Sequence, residues 1–296
     1  MHVVVAGASG FLGTPLVARL RQRGHEVTRL VRGDDTAPDA SRWDPASGRV
    51  DQALVGAADA VVNLSGANIS RWPRTSSYAR EILQSRLGAT GTLARAIAAA
   101  DRPPAFVSGS GMSWYGVDRG DDSLDESAGP GSGFLADVSQ QWEAATAPAA
   151  EAGARVCLVR TSLVMDASGS ALKLMAVPFR LGVGGRLGSG RQRMSVVSRD
   201  DWVSAVTFLV EHDSLAGPFN VSIPQTVTNA ELTAELGRQL HRPTVLAVPS
   251  PAIRLALGGI ADDLLGSLDV RPAALEAAGF TFAHPSLAST LKAALS

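Results

Sequence analysis

The first thirteen residues constrain the fold more than any other segment of this chain. Residues 2–13 read HVVVAGASGFLG, so a run of valines ends at Ala6 and glycines follow at positions 7, 10 and 13. Apolar residues from Leu12 to Leu20 then have the spacing of an amphipathic helix. A buried strand, a tight glycine turn and a helix N-terminus form the phosphate-binding corner of a doubly wound dinucleotide fold.

Each glycine has a separate task in such a corner. Gly7 can adopt backbone angles that are closed to residues with a Cβ atom, and Gly10 lets the main chain approach a diphosphate. Gly13 lets the helix pack close to the strand, and the anion then rests on N–H groups at the positive end of the helix dipole. The predicted cofactor contacts of this corner are Gly7, Ser9, Gly10, Phe11, Leu12 and Gly13.

Short apolar strands alternate with longer helical patterns through the first half of the chain. We predict strands near 2–7, 26–31, 59–64, 104–109 and 155–162, and helices near 11–24, 77–100 and 134–152. This alternation is typical of a parallel sheet covered on both faces. The predicted fold class is therefore α/β, a Rossmann-like doubly wound parallel sheet with a smaller C-terminal α/β substrate lobe.

The character of the sequence changes after Thr161. Residues 182–191 form a glycine-rich loop, GVGGRLGSGR, and prolines punctuate the shorter elements that follow. We assign residues 1–162 to the cofactor-binding domain, together with 197–216, and 163–296 mainly to the substrate lobe. Ligands of open α/β sheets bind at the carboxyl ends of the strands, so we expect this lobe to close over that edge.

Composition excludes several classes of function. The 296 residues carry a formal net charge of −1, which leaves no broad basic surface for nucleic acid. There is no run of about 18 apolar residues, and the first strand begins at once, so we expect neither a membrane span nor a targeting peptide. The one cysteine, Cys157, lies in an apolar strand, and the five histidines lack metal-ligand spacing. These features predict a cytoplasmic protein without a metal site.

The end of the second predicted strand bears on the choice of cofactor. Arg32 stands nineteen residues after Gly13, where an NAD site would carry an acidic residue for the ribose 2′-hydroxyl. A guanidinium suits a 2′-phosphate instead, and a charge-assisted hydrogen bond of about 1.5–3 kcal/mol corresponds to roughly ten- to a hundredfold in affinity. We therefore predict NADP(H), with Arg29 as a helper. Asp34 and Asp35 follow, and either carboxylate could turn towards the ribose instead.

Small residues follow the third predicted strand and leave room for the same cofactor. They add Leu64, Ser65 and Gly66 to its predicted contacts.

The glycine spacing G-x-x-G-x-x-G resembles that of the short-chain dehydrogenase/reductase superfamily, particularly its extended branch. Enzymes of this branch use a helical Tyr-x-x-x-Lys pair, in which lysine lowers the pKa of the tyrosine that transfers a proton. This chain contains only Lys173, Lys292, Tyr78 and Tyr115, and no two of them have that spacing. On the expected helix, the corresponding positions are Phe134 and Val138, or Leu135 and Ser139.

The whole chain resembles one atypical subfamily of this branch, the epimerase-family proteins related to nucleoside-diphosphate-sugar epimerases, which lack the Tyr/Lys pair. The matching segments include GASGFLG, NLSGANI at 63–69, SRLGAT at 85–90, SGSGMSWYG at 108–116, PFRLGVGGRLGSGRQ at 178–192 and GPFNVSIPQTVTNAEL at 217–232. The family pattern has Trp-Ile-His before the Asp-Asp near position 200, whereas this chain has Val196, Val197 and Ser198 there.

The resemblance and the remaining polar residues complete the predicted site. Ser110 stands where the family motif places a substrate-binding hydroxyl, and Tyr115 is the one phenol near it, so these two are the catalytic candidates. Ser108 and Arg160 are predicted cofactor contacts. The predicted substrate contacts, chosen because arginine and glutamine bind phosphate or carboxylate groups, are Arg86, Arg186, Arg191 and Gln192.

Three functions stay open at this point. The first is an NADP(H)-dependent oxidoreductase that acts on a small, anionic substrate. The second is a non-catalytic NADP(H) sensor that regulates a protein partner, and the third is a nucleotide-sugar epimerase. The missing Tyr/Lys pair counts most strongly against the epimerase. The long helices near 77–100 and 134–152 would allow a homodimer.

Overall fold

The structure, a computed structural model, describes residues 1–33, 37–69, 71, 75–257 and 260–296. Its strands, in chain order, are β1 (His2–Ala6), β2 (Glu26–Val31), β3 (Ala40–Arg42), β4 (Ala60–Asn63), β5 (Ala105–Gly111), β6 (Ser123–Leu124), β7 (Val156–Thr161), β8 (Leu163–Met165), β9 (Gly185–Leu187), β10 (Val196–Ser198), β11 (Gly217–Val221), β12 (Leu246–Val248) and β13 (Asp269–Val270). Its helices are α1 (Gly13–Gln22), α2 (Gln52–Gly56), α3 (Ser76–Ala98), α4 (Phe134–Ala144), α5 (Ala147–Glu151), α6 (Ser170–Arg180), α7 (Arg199–Glu211), α8 (Asn229–Leu240), α9 (Ser250–Leu257), α10 (Ile260–Leu265), α11 (Ala273–Ala277) and α12 (Leu287–Leu295).

Seven strands form one central sheet in the order β11-β7-β5-β4-β1-β2-β3. The pairs β1–β2, β1–β4, β2–β3 and β4–β5 are parallel. Val4 of β1 lies opposite both Thr28 and Val61. Val3, Val4 and Val5 are fully buried, as strands covered by helices on both faces require. The predicted Rossmann-like fold class is confirmed.

Two of the differences between the predicted elements and the structure concern the central sheet and the helix predicted over 134–152. The strands β3 and β11, at the two edges of the sheet, were not predicted, because both are short and have little apolar pattern. The single helix predicted over 134–152 is wrong: α4 ends at Ala144 and α5 begins at Ala147. The Thr146 hydroxyl donates to the Glu143 carbonyl at 2.7 Å, and Pro148 lacks an N–H group to continue the helix.

The chain folds into two compact units. Unit 1 comprises residues 1–111, 137–160 and 203–219, and unit 2 comprises 112–136, 161–202 and 220–296. This division differs from the predicted domain boundary at residue 162, because residues 112–136 cluster with unit 2. Unit 2 is nearly as large as unit 1. In unit 1, α3 and the sheet enclose a core that includes Leu93, Ile97 and Phe106.

Unit 2 has its own core and its own helix caps. Its core includes Met165, Leu172 and Leu232. In α8 the side chains of Thr228 and Glu231 cap the first turn reciprocally, which fixes where that helix begins. None of the helices in the described part of the chain is both long and apolar enough to cross a bilayer.

Candidate functional site

The glycine corner between β1 and α1 has the backbone that its sequence predicts. Gly7 has φ +80°, and a Cβ atom on it would lie 2.8 Å from the Leu64 carbonyl carbon. A Cβ on Gly13 would collide with the Gly7 carbonyl oxygen, so both positions require glycine. The Gly10 N–H donates to Gly7 O at 3.0 Å and closes the turn.

The mouth of this corner is open to solvent. Ser9, Gly10 and Phe11 are exposed. Of the first amides of α1, that of Thr14 donates to the Gly10 carbonyl at 3.0 Å, and Pro15 has no N–H group. The exposed turn and the start of α1 still favour an anion, because the helix dipole presents positive charge at this end.

Arg32 is exposed immediately after β2, at the same edge of the sheet. Arg29, the predicted helper, is paired with an acidic residue: its Nε and Nη2 donate to Asp39 at 2.8 and 2.7 Å. The guanidinium groups of Arg29 and Arg21 hold the pKa of Asp39 well below its usual range. Asp34 and Asp35 lie outside the described residues.

A hydrogen-bond network shapes the loop after β4. The Asn63 side chain accepts from the Ser65 N–H at 3.1 Å and donates to Thr90 Oγ1 at 2.9 Å. Thr90 Oγ1 also accepts from Trp142 Nε1 at 2.8 Å. Because Thr90 lies on α3 and Trp142 on α4, this buried network fixes the loop that carries Leu64, Ser65 and Gly66.

Arg86 on α3 packs against the same loop. Its Nη1 donates to Ala67 O at 3.1 Å and to Ile82 O at 3.0 Å. The guanidinium carbon lies 4.8 Å from the centre of a Trp142 ring, which is cation–π geometry. A Cβ atom on Gly66 would approach that carbon to 3.0 Å, so the glycine makes room for the guanidinium.

Ser110 belongs to a buried triad at the carboxyl end of β5. Its hydroxyl donates to Glu143 Oε1 at 2.7 Å. Arg160 on β7 donates from Nε to Oε1 at 2.8 Å and from Nη2 to Oε2 at 2.9 Å. Both charged side chains are nearly inaccessible, at 4 % for Arg160 and 9 % for Glu143. The triad fixes the orientation of Ser110.

Sequence reasoning missed Glu143 and Trp142, which are neighbours on α4. A signal for Glu143 was present: Arg160 lies inside an apolar strand, and a buried arginine needs a compensating carboxylate. Arg160 is thus held by Glu143, and the fully buried Ser108 hydroxyl donates to Gly109 O at 3.3 Å. Both predicted cofactor contacts therefore have partners inside unit 1.

Tyr115 lies in unit 2 and is fully buried. Its hydroxyl is 2.8 Å from Asn220 Oδ1 and 3.0 Å from Asp125 O. These contacts make Tyr115 part of the core with Leu124, and its catalytic role stays a prediction.

The other predicted substrate residues also lie in unit 2. Arg186 on β9 and Arg191 are exposed. Gln192 is buried, and its Nε2 donates to Leu187 O at 3.0 Å, which closes the glycine-rich loop. That bond gives Gln192 a structural role, and its substrate contact stays a prediction. Unit 2 also contains a cleft of about 750 Å³ beside Gly116, Arg119 and Gly266.

The sequence did not predict a grouping of Ser198, Asp201 and His284. Ser198 Oγ lies 3.0 Å from both Asp201 Oδ2 and His284 Nδ1. Ser198 is only 1 % exposed, and its hydroxyl accepts from the Asp201 N–H at 3.0 Å at the start of α7. The Asp201 carboxylate accepts the N–H groups of Ala283 and His284 at 2.7 and 2.9 Å. This grouping connects the start of α7 to residues 283–284 and exposes no nucleophile.

Within the described ranges, no set of three or more acidic, histidine or cysteine side chains could hold a metal ion.

The sheet order and the glycine corner with its exposed turn define a dinucleotide-binding α/β protein of the Rossmann type. Residues 3–222 match the family model of the NAD dependent epimerase/dehydratase family, and the chain belongs to that family. Residues 248–294 match a second model, described as a domain of unknown function (DUF1731). An epimerase family protein of Mycobacterium leprae is 42 % identical over 291 residues, which cover 98 % of this chain and 94 % of that protein.

Solved structures are similar over the whole chain. The crystal structure of human epimerase family protein SDR39U1 (isoform 2) with NADPH is 34 % identical, covers 99 % of both chains and has a TM-score of 0.87. A nucleoside-diphosphate sugar epimerase from Corynebacterium glutamicum is 32 % identical with a TM-score of 0.83, and the match covers 100 % of this chain and 58 % of that one.

Proposed function

We propose that the chain is an NADP(H)-dependent oxidoreductase of the extended short-chain type, with unit 1 as the cofactor-binding unit. The observation that carries this proposal is the glycine corner, where Gly7 and Gly13 cannot accept a Cβ atom and residues 9–11 are exposed. The similarity to the human protein that was crystallised with NADPH supports the choice of cofactor.

The residues of unit 1 fit the cofactor group by group. The amides that open α1 would bind the diphosphate, and the exposed Arg32 would bind the 2′-phosphate. When bound, the nicotinamide supplies the capacity to accept or release a hydride. We assign the loop after β4, with Leu64, Ser65 and Gly66, to the adenosine half, because small residues let a ligand approach the backbone.

Ser110 is the residue that we propose to meet the substrate. Its O–H group donates to Glu143, so its free lone pairs can accept a hydrogen bond from a substrate hydroxyl. The chain has no Tyr-x-x-x-Lys pair, and the Glu143 carboxylate beside Ser110 is held by Arg160, so Ser110 positions such a group without a lysine-activated phenol. A general acid or base typically contributes about 10²–10⁴ in rate, so we expect slow turnover of an activated substrate.

The proposal is tested by fluorescence titration with NADPH and NADH. We expect roughly ten- to a hundredfold tighter binding of NADPH, from the charge-assisted bonds of one arginine. Arg32→Gln should remove this preference, because a neutral side chain cannot pair with the 2′-phosphate. Arg102→Gln is the matched control, since Arg102 is also exposed but precedes β5 at the opposite edge of the sheet. Equal affinities in the native protein would refute the role of Arg32.

Two other functions remain candidates for the same cofactor-binding unit. The absence of the Tyr/Lys pair favours an NADP(H) sensor without turnover, and the family membership favours nucleotide-sugar epimerisation. Oxidation of NADPH, followed by absorbance over a panel of carbonyl compounds, separates them from an oxidoreductase. Turnover that Ser110→Ala reduces supports the oxidoreductase, and tight cofactor binding with a silent panel supports the sensor.

A further inference from the structure

The arginines inside unit 1 differ in how their charge is compensated. Arg160 is paired with Glu143 through two hydrogen bonds, and Arg155 donates to the carbonyls of Leu209, Val210 and Leu215. Arg86 is buried, with only 8 % of its surface exposed. Among the described side chains, no carboxylate forms an ion pair with Arg86, although burial of an unpaired charge is costly.

The donors of Arg86 are only partly used. Nη1 donates to the two carbonyls of Ala67 and Ile82, whereas Nε and Nη2 donate to no described residue. Arg86 keeps 8 % of its surface exposed, so it is not fully enclosed by the described residues. Nε and one Nη are the edge with which arginine binds a phosphate or a carboxylate.

The guanidinium is also held in place. The Trp142 ring lies 4.8 Å away, and Trp142 is itself fixed by its bond to Thr90. Gly66 leaves only the space that the guanidinium fills. Burial lowers the pKa of Arg86 to about 10, which still leaves the group cationic at neutral pH. A charge held in this way is ready to bind an anion without further ordering.

The guanidinium of Arg86 lies beside the loop that borders the glycine corner. Arg86 contacts Gly66, and two residues earlier Leu64 is packed against Gly7. The N-terminus of α1 and the guanidinium of Arg86 are therefore two cationic features at the carboxyl edge of one sheet. Arg32, which we assign to the 2′-phosphate, is a third and separate residue.

We propose that Arg86 is an anion-binding residue, which takes a phosphate or carboxylate group through Nε and Nη2 at the carboxyl end of β4. This inference rests on the proposed function for its ligand, which is either the diphosphate of the cofactor or the anionic group of the substrate. In both cases the recognised chemistry is the same, two anionic oxygens on one phosphorus or carbon atom.

The test compares Arg86→Met with the native protein, because methionine keeps an unbranched side chain against Trp142 and loses the charge. If the anion is the diphosphate, Arg86→Met weakens NADPH binding about 10- to 100-fold in a fluorescence titration. If it is the substrate group, NADPH binding is unchanged, and the NADPH-loaded native protein binds inorganic phosphate in calorimetry whereas Arg86→Met does not. Arg95→Met is the control, since Arg95 is exposed on the same helix.

Either of these losses supports the assignment. Binding of both NADPH and phosphate by Arg86→Met with native affinity overturns it. Arg86→Lys keeps the charge but not the two-pronged edge, so it should show an intermediate loss, and it replaces the methionine variant if that variant does not fold. If the native protein fails to bind NADPH, the proposed function fails, while inorganic pyrophosphate added to the free protein still tests Arg86.

Discussion

Glu143→Ala should destabilise the protein strongly, through the charge that it leaves behind. Arg160 is 4 % exposed at its side chain and donates two hydrogen bonds of 2.8 and 2.9 Å to this carboxylate. Removing one partner of a buried ion pair costs about 3–5 kcal/mol, because the other charge stays desolvated and unpaired. The variant also removes the acceptor of the Ser110 hydroxyl. We therefore expect a loss of about 3–5 kcal/mol in the free energy of unfolding.

The assay is urea-induced unfolding followed by circular dichroism. Glu151→Ala, an exposed acid on α5, is the control and should change the free energy of unfolding by less than about 0.5 kcal/mol. Glu143→Leu combined with Arg160→Met should recover most of the stability, because no unpaired charge remains. A loss below about 1 kcal/mol for Glu143→Ala, or a double variant no better than the single one, would refute the reasoning.

Two further predictions concern a thiol and a carboxyl group. Burial raises the pKa of Cys157 to about 11, so iodoacetamide at about pH 8 should label the urea-unfolded chain but not the native protein, as intact mass will report. Full labelling of native protein would contradict this. Because Arg29 and Arg21 lower the pKa of Asp39 below its ordinary 3.8, the stability that Asp39 contributes is present above that value and is lost as the pH falls below it. The difference in urea midpoint between native protein and Asp39→Asn should therefore shrink from neutral pH to about pH 3, and a constant difference would show that the carboxylate is not the cause.

The parts of the fold that depend on nearby residues could be predicted from the sequence. The valines of β1 and the glycines that follow are adjacent, so the strand, the turn and the helix end were all visible. The edge strands β3 and β11 could not be found, because three to five residues of mixed polarity acquire strand structure only from the neighbour that they pair with.

The same distinction applies to the candidate site. Ser110 and Arg86 were identifiable from the sequence, because they lie in SGSGMSWYG and SRLGAT, two of the segments that resemble the family. Their partners were not, since Glu143 lies 33 residues after Ser110 in the chain, and His284 lies 86 residues after Ser198. Only the folded chain shows that Arg160 is compensated and that Arg86 has no such partner in the described part.

Unit 1 is assembled from three separate stretches, the last of which ends at Phe219. The strand β11 supplies one edge of its sheet and is the last of the seven to be synthesised. During synthesis on the ribosome, therefore, the nucleotide-binding sheet lacks this edge strand until residues 217–221 have emerged. A nascent chain arrested before that point exposes the side of β7, which makes this edge the place where premature termination would lead to aggregation.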